Sequence, residues 1–338
     1  MRKLTSVEIC AGAGGQALGL EQAGFEHAAL IEIDKHACAT LRLNRPDWNV
    51  LCMDVHDVKG EWFPEVDLLA GGVPCPPFSV AGKQLGDKDE RNLFPEAIRL
   101  AKEINPRAIM LENVRGLMDP QFNWYREWIA NQLGKLGYAV HWKLLQSSEY
   151  GVSQLRPRVL CVGIRRDIST EFVWPTPNLF TPPTVGNLLY DLMAENGWQG
   201  ADEWRNQAND IAPTLVGGSK KHGGADLGPT RTRKKWEQLG VDGTGVADAA
   251  PGADYQGAPK LTTRMTARIQ GFPDTWNFFG KKTSVYRQIG NAFPPPVACA
   301  VAKQIFNIIS RHEKSENSAT RSKAQISPIF AEVDSCVQ

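Results

Sequence analysis

The feature that most constrains the fold is an exchange of two hydrophobic periods along the first half of the chain. Short apolar runs at residues 4–9, 28–33, 48–53, 66–70, 108–111, 139–145 and 159–163 have the length of buried strands. Residues 16–23, 34–43, 94–104 and 124–136 lie between them and carry apolar positions at helical spacing. Runs too short for buried helices, alternating with patterns too long for strands, predict an α/β fold. Its core is a mostly parallel, Rossmann-like sheet covered on both faces.

The pattern weakens after about residue 167. Residues 174–186 hold Trp174-Pro175-Thr176-Pro177 and Pro182-Pro183, and residues 196–260 are rich in Gly, Asp, Lys and Arg. This region is expected to form a second, smaller, loop-rich domain. Helical periodicity returns at 262–269 and at 297–309. The expected division is 1–172 as the first domain, 173–280 as the second, and 281–312 returning to the first. The polar end, 313–338, is expected to be disordered.

Bulk properties exclude several classes. With 338 residues and a formal net charge of +1, the chain suits one large domain and a smaller one. No apolar run reaches the ~20 residues of a membrane span, and the N-terminus enters a strand pattern at once instead of a leader peptide. Seven cysteines, at 10, 38, 52, 75, 161, 299 and 336, form no CxxC and no paired spacing. A reducing, cytoplasmic setting is expected, with no zinc cluster and no disulfide framework.

Where the first strand ends, Glu8-Ile9-Cys10-Ala11-Gly12-Ala13-Gly14-Gly15 turns into a helix. Gly12, Gly14 and Ala17 fit G-x-G-x-x-A. Glycines let a ligand approach the backbone, and a helix N-terminus offers N–H groups. Glu32 closes the second strand at the spacing of a ribose-binding carboxylate. Asp54, after the third strand, could accept from an adenine amino group. On these residues alone NAD, FAD and S-adenosylmethionine all remain open, as does a plain tight turn.

Four further stretches narrow the choice: Pro74-Cys75-Pro76-Pro77, Glu112-Asn113-Val114, Gln154-Leu155-Arg156-Pro157-Arg158 and Gln288-Ile289-Gly290-Asn291-Ala292-Phe293-Pro294. Cys75 and Glu112 both fall at expected carboxyl ends of strands, where open α/β sheets build their sites. With Thr266 to Asp274 (TARIQGFPD) and Tyr286 to Ala298 (YRQIGNAFPPPVA), the set strongly resembles the DNA cytosine-5 methyltransferases, in the family's order from about Leu4 to Gln304.

The resemblance implies an S-adenosylmethionine-dependent methyltransferase fold with a target-recognition domain at 173–280. It implies transfer of a methyl group to C5 of a cytosine flipped out of duplex DNA. Cys75 would be the nucleophile that adds to C6. Glu112, protonated, would bond N3 and the exocyclic amine. Arg158 would hold O2, with Arg156 and Gln154 in support and Gln154 also touching DNA. Residues 79–91 would close over the base, with Ser79, Lys83 and Arg91 as phosphate contacts.

The cofactor pocket would draw on residues 8–15, among them Cys10, Ala11, Gly12, Gly14 and Gly15, and on Glu32, Ile33, Asp54, Pro74, Leu93, Asn291 and Ala292. The family usually carries Phe where this chain has Cys10, and sometimes a larger aromatic where it has Ile33. Both departures predict weaker stacking on the adenine.

The basic, glycine-rich segment 212–235 contains Thr214, Lys220, Lys221, Arg231 and Arg233. It would supply DNA contacts, since Lys and Arg neutralise phosphates and Arg can read guanine. The expected partners are double-stranded DNA and, functionally, a cognate restriction endonuclease. A monomer without membrane association is expected. A relative acting on RNA would share the catalytic set, but the long interval between Arg158 and Thr266 favours DNA. An oxidoreductase leaves Cys75, Glu112 and Arg158 unexplained, and a silent DNA-binding protein leaves Cys75 and Glu112 without purpose.

Overall fold

The computed structural model describes residues 2–74, 92–217 and 224–326. In chain order its first part runs β1 (Thr5–Ile9), α1 (Gly15–Ala23), β2 (Glu26–Glu32), α2 (Lys35–Asn44), β3 (Val50–Cys52), β4 (Leu68–Gly71), α3 (Phe94–Ile104), β5 (Ala108–Val114), α4 (Asn123–Lys135), β6 (Tyr138–Gln146), β7 (Gln154–Leu155) and β8 (Pro157–Arg165). Then follow α5 (Val185–Ala194), α6 (Ala201–Gln207), β9 (Ala212–Pro213), α7 (Thr230–Gln238), α8 (Thr263–Ile269), α9 (Lys282–Asn291) and α10 (Pro295–Ile326).

Seven strands form one sheet in the order β3-β2-β1-β4-β5-β8-β6. The first five pair in parallel, and β8 pairs antiparallel with both β5 and β6. The period-2 alternation expected of strands splits the core between two faces. Leu68, Ala70 and Met110 face a cluster with Leu20 of α1 and Val297, Val301 and Ile305 of α10. Leu69, Ile109 and Leu111 face Phe94 and Leu100 of α3 and Tyr125 and Ile129 of α4. Gly19 allows α1 to lie tightly on α10: a Cβ there would sit 2.5 Å from that of Ala298.

The helices start where local chemistry permits. Asp34 caps α2, accepting from His36 N at 2.9 Å and Ala37 N at 3.4 Å. Asn105 ends α3 in the left-handed conformation.

The second region is more regular than expected. Residues 173–280 contain α5, α6, α7 and α8, packed around Leu189, Trp204, Leu215, Trp236 and Met265. Tyr286 of α9 joins that cluster, whereas Phe272 and Trp276 pack with Ala17, Leu18 and Leu41. Residues 313–326 were expected to be disordered and instead continue α10. Glu313 ties the helix to Arg2 and Arg107, and no Gly or Pro interrupts 313–326. No helix among the described residues is long and apolar enough to cross a membrane.

Candidate active site

The strand order reverses direction between β1 and β4, which opens a crevice at their carboxyl ends. A cavity of about 810 Å³ fills it. Its lining joins the two groups of residues that the sequence analysis treated separately. The glycine turn, Glu32, Ile33, Asp54, Pro74, Leu93, Asn291 and Ala292 share it with Glu112 and Arg158.

The turn after β1 is built from three left-handed residues, Cys10 (φ 53°), Gly12 (φ 54°) and Gly14 (φ 88°). Cys10 adopts this conformation without being glycine, a strain typical of functional sites. Its thiol is pushed up by burial and by the neighbouring Glu32, Glu8 and Asp54, so it meets the cavity as a neutral group. At Gly15 a Cβ would lie 2.2 Å from the Phe293 carbonyl, so only glycine lets α1 begin here. Trp276 braces the turn from the other side, with its Nε1 donating to Ala13 O at 3.1 Å.

The Glu32 carboxylate is fixed across the turn. Oε2 accepts from Gly12 N at 2.7 Å, and Oε1 accepts from Asp34 N at 2.7 Å. Two acceptors with further lone pairs thereby face the cavity in a fixed orientation. Asp54 accepts from His56 N at 3.0 Å and is 2.7 Å from His56 Nδ1, contacts that hold its carboxyl below the usual aspartate range. Ile33 is 65% exposed at the cavity wall.

On the other side, Glu112 lies within β5 opposite Leu160 of β8, and Arg158 lies opposite Val114. Arg158 Nε is 2.7 Å from Glu112 Oε1, but its N–H is not aligned for a hydrogen bond. Both side chains are buried. Burial pushes the Glu112 carboxyl above the usual glutamate range, against the opposing pull of Arg158 and Arg156. An acid so shifted keeps its proton to higher pH than an ordinary glutamate, as a proton donor requires. Gly72 leaves it room, since a Cβ there would stand 3.3 Å from Glu112 Oε2. Asn113 ties β5 to the chain that leads toward Cys75, with Nδ2 donating to Val73 O at 2.8 Å. Cys75 itself lies outside the described residues, as do Ser79, Lys83, Arg91, Lys220 and Lys221.

Three expected residues do not line the cavity. Gly14 faces away from it, where a Cβ would stand 2.7 Å from Leu41 Cδ2 and 2.8 Å from the Trp276 ring. Arg156 is wholly buried, with Nη1 donating to Leu215 O at 2.7 Å and Nη2 to Gly290 O at 2.7 Å and Ala292 O at 3.1 Å. It clamps the segment after β9 to the end of α9 and does not line the cavity. Gln154, expected at DNA, is also fully buried. It donates to Gln270 Oε1 at 2.7 Å and accepts from Leu215 N at 2.9 Å. β7 pairs with β9, so this polar stretch faces a seam between two regions, where hydrogen bonding replaces solvent.

Thr214 donates to Leu155 O at 2.6 Å beside that seam. Arg231 is exposed at the start of α7, and Arg233 is half-buried, donating to Thr230 Oγ1 at 3.4 Å. Sequence reasoning did not single out Gln16, Asn113, Trp276 or Gln288. Gln288 accepts from Thr40 at 2.6 Å and so fixes α9 against α2 at the cavity wall. Asn113 and Gln288 stand in stretches that were quoted but were given no role, and Gln16 and Trp276 carry no local signal.

A doubly wound sheet with a glycine turn, an acid closing the second strand and a cavity at the switch point defines an α/β enzyme that binds a nucleotide-like cofactor. A raised carboxyl and a guanidinium at the same cavity point further, toward acid-assisted chemistry on a polar substrate.

Comparison with known proteins agrees. Residues 4–307 match the family described as C-5 cytosine-specific DNA methylase. The chain is 60% identical over 312 residues to the type II methyltransferase M.NgoMIV of Neisseria gonorrhoeae, covering 91% of this chain and 99% of that protein. It is 57% identical to the type II methyltransferase M.NaeI of Lentzea aerocolonigenes, covering 90% of this chain and 75% of the other. A prophage-encoded E. coli protein described as a DNA modification methyltransferase superposes with a TM-score of 0.66 at 25% identity, covering 91% of this chain and 99% of that one. The chain belongs to the C-5 cytosine-specific DNA methylase family and is an enzyme of DNA methylation. The family depends on S-adenosylmethionine.

Proposed function

We propose that the cavity binds S-adenosylmethionine and that Cys75, Glu112 and Arg158 act on a flipped cytosine beside it. The observation that carries this reading is the single cavity shared by Glu32, Asp54, Glu112 and Arg158, with Asn113 tethering the chain that leads to Cys75.

The residues present fit this cofactor. Glu8 Oε2 and both amide atoms of Gln16 are buried at the cavity with no partner among the described residues. Burying three polar atoms without hydrogen bonds is costly unless a ligand or water satisfies them. An amino-acid end offers the required pair of groups, an ammonium for Glu8 and Gln16 Oε1 and a carboxylate for Gln16 Nε2. Glu32 would take the ribose hydroxyls, Asp54 the adenine amino group, and Ile33 and Cys10 the adenine faces. The turn, Pro74, Leu93, Asn291 and Ala292 would complete the enclosure. When bound, the cofactor supplies an electrophilic methyl group.

The protein's part begins with the Cys75 sulfur adding to C6 of cytosine. Glu112 donates its proton toward N3 as this bond forms, which draws electron density from C6 and leaves C5 a nucleophilic enamine carbon. Arg158 stabilises charge developing at O2, while its proximity to Glu112 fixes the orientation of both. After methyl transfer, a solvent base takes the C5 proton, the C5–C6 double bond re-forms and the Cys75 sulfur leaves as thiolate, while N3 returns its proton to the Glu112 carboxylate.

Duplex DNA would lie across the recognition region, with Arg231 and Arg233 on α7, Thr214, and Ser79, Lys83, Arg91, Lys220 and Lys221 as contacts. Two relatives are type II methyltransferases, which supports a role in protecting cytoplasmic DNA from a cognate restriction endonuclease. The enzyme would act as a monomer. The test is transfer of labelled methyl from S-adenosylmethionine to duplex DNA and, for comparison, to tRNA. Cys75→Ser should abolish transfer while leaving cofactor binding intact. A fully active Cys75→Ser enzyme would overturn the mechanism.

A further inference from the structure

Two cysteines with no sequence motif in common meet behind the cofactor cavity. The sheet register sets Cys52, the last residue of β3, beside Glu32, the last residue of β2. Alternation along β3 gives Cys52 the same face as Val50, which packs with Leu30, Cys38 and Leu41. The Cys38 thiol, on α2, donates to the Glu32 carbonyl at 3.3 Å. Its pKa is pushed up by burial and, after that, by the neighbouring Cys52 thiol. Cys38 is buried and Cys52 is exposed, so one sulfur of the pair is open to solvent. The neighbours of both line the cavity: Glu32 and Ala37 on one side, Met53 and Asp54 on the other.

We propose that Cys38 and Cys52 form an oxidation-sensitive dithiol that a peroxide closes to a disulfide, and that closure weakens ligand binding in the adjoining cavity. The second half rests on the reading of that cavity as the cofactor site. The exposed Cys52 sulfur attacks a peroxide oxygen. The O–O bond breaks, one water leaves, and Cys52 becomes a sulfenic acid. The Cys38 sulfur then displaces the hydroxyl oxygen, which departs as a second water carrying the Cys38 proton. Two thiols are oxidised to one disulfide, and one hydrogen peroxide is reduced to two waters. A disulfide demands a short S–S bond and a fixed dihedral angle, so the end of β3 and the second turn of α2 must draw together. The Cys38 sulfur loses its hydrogen and with it the bond to the Glu32 carbonyl. Asp54, which would hold adenine, follows the end of β3 by two residues, and Glu32, which would hold ribose, closes β2 between Cys52 and the Cys38 thiol.

The experiment uses the full-length chain with Cys75→Ser, so that oxidation at the proposed nucleophile does not confuse the result. The protein is treated with stoichiometric hydrogen peroxide, mapped by non-reducing peptide mass spectrometry, and titrated with S-adenosylmethionine and S-adenosylhomocysteine by calorimetry. Expected is a Cys38–Cys52 cross-linked peptide lacking two hydrogens. The Kd should rise by about tenfold or more and recover on reduction with dithiothreitol. Adding Cys52→Ser should leave binding to the reduced protein unchanged and remove the peroxide effect. The proposal is overturned if no such cross-link forms, if it forms without changing the Kd, or if Cys52→Ser retains the sensitivity. Failure of the reduced protein to bind either ligand refutes the cofactor reading instead, and the cross-link alone then decides the chemistry of the pair.

Discussion

Replacing Arg156 with methionine separates a clamp from a catalytic arginine. The side chain is wholly buried and gives its protons to Leu215 O, Gly290 O and Ala292 O. Methionine keeps much of the volume and donates nothing. The Ala292 carbonyl still accepts from Gln270 Nε2, so two carbonyls lose a partner. Hydrogen bonds to a charged group are worth about 1.5–3 kcal/mol each, which gives a loss of about 3–6 kcal/mol. Arg156 Nε has no partner, and burial lowers the pKa of the guanidinium well below its ordinary value. Removing these penalties moves the expected loss toward the low end, about 3 kcal/mol. Over 338 residues an unfolding entropy of about 2.1 cal/mol/K per residue converts this to a Tm lower by roughly 4 °C. Urea and thermal unfolding measure the loss. Titration with S-adenosylmethionine should show weaker binding, because the clamped carbonyls flank Asn291. Stability within about 1 kcal/mol of the parent, with only kcat reduced, would refute the clamp and return Arg156 to the chemistry.

Glu112→Gln should leave the fold and cofactor binding in place and lower single-turnover methyl transfer by about 10²–10⁴-fold. Because burial raises the Glu112 pKa, its acid form persists above the usual glutamate range and is lost as pH rises through the raised value. The rate should therefore fall on the alkaline side, and the glutamine variant should lack that descending limb. Gly15→Ala places a Cβ 2.2 Å from the Phe293 carbonyl, a backbone atom that cannot swing aside. Cofactor affinity measured by calorimetry should drop at least about tenfold, and unchanged affinity would show that the start of α1 is not part of the site. Glu8 is buried, with its pKa raised well above the ordinary value by desolvation and by Glu32. The native state thus holds a proton that the unfolded state releases, and stability falls as pH rises from the ordinary glutamate range toward the raised value. Glu8→Gln should flatten that decline in urea titrations across pH, and an identical slope would place the proton elsewhere.

The central sheet was legible because each strand and helix carries its own signal. Residues 94–104 were read as a helix, and α3 spans the same residues. The Glu32 carboxylate falls where its spacing from the glycine turn suggested, bonded to Gly12 N. Both depend on residues close in sequence whose hydrophobic period needs no distant partner. The region 173–280 depends on distant ones. Its core joins Trp204, Trp236, Met265 and Tyr286, spread over four helices, and in any single window the apolar positions look sparse. Polar composition was therefore taken for loops, although each short helix needs only one or two buried anchors.

The misplacement of Gln154 and Arg156 has a different cause. A row of polar side chains on an extended segment can face solvent, a ligand or a seam between two parts of the same chain, and periodicity is identical in all three. What distinguishes them is the partner across the gap: Leu215, Gln270 and the end of α9, which lie 59 to 136 positions away. Arg156 falls between β7 and β8, while Arg158 lies within β8 opposite Val114. The two arginines therefore follow different elements, one into the seam and one into the cavity. Cys38 and Cys52 illustrate the same limit from the other direction. Spacing excluded a CxxC motif, yet the parallel register of β2 and β3 and the return of α2 over them bring the Cys38 thiol and the Cys52 backbone to Glu32. In each case the missing information is the tertiary partner, so polar runs next to a domain boundary and cysteines on adjacent strand–helix units are the positions where a sequence reading most needs coordinates.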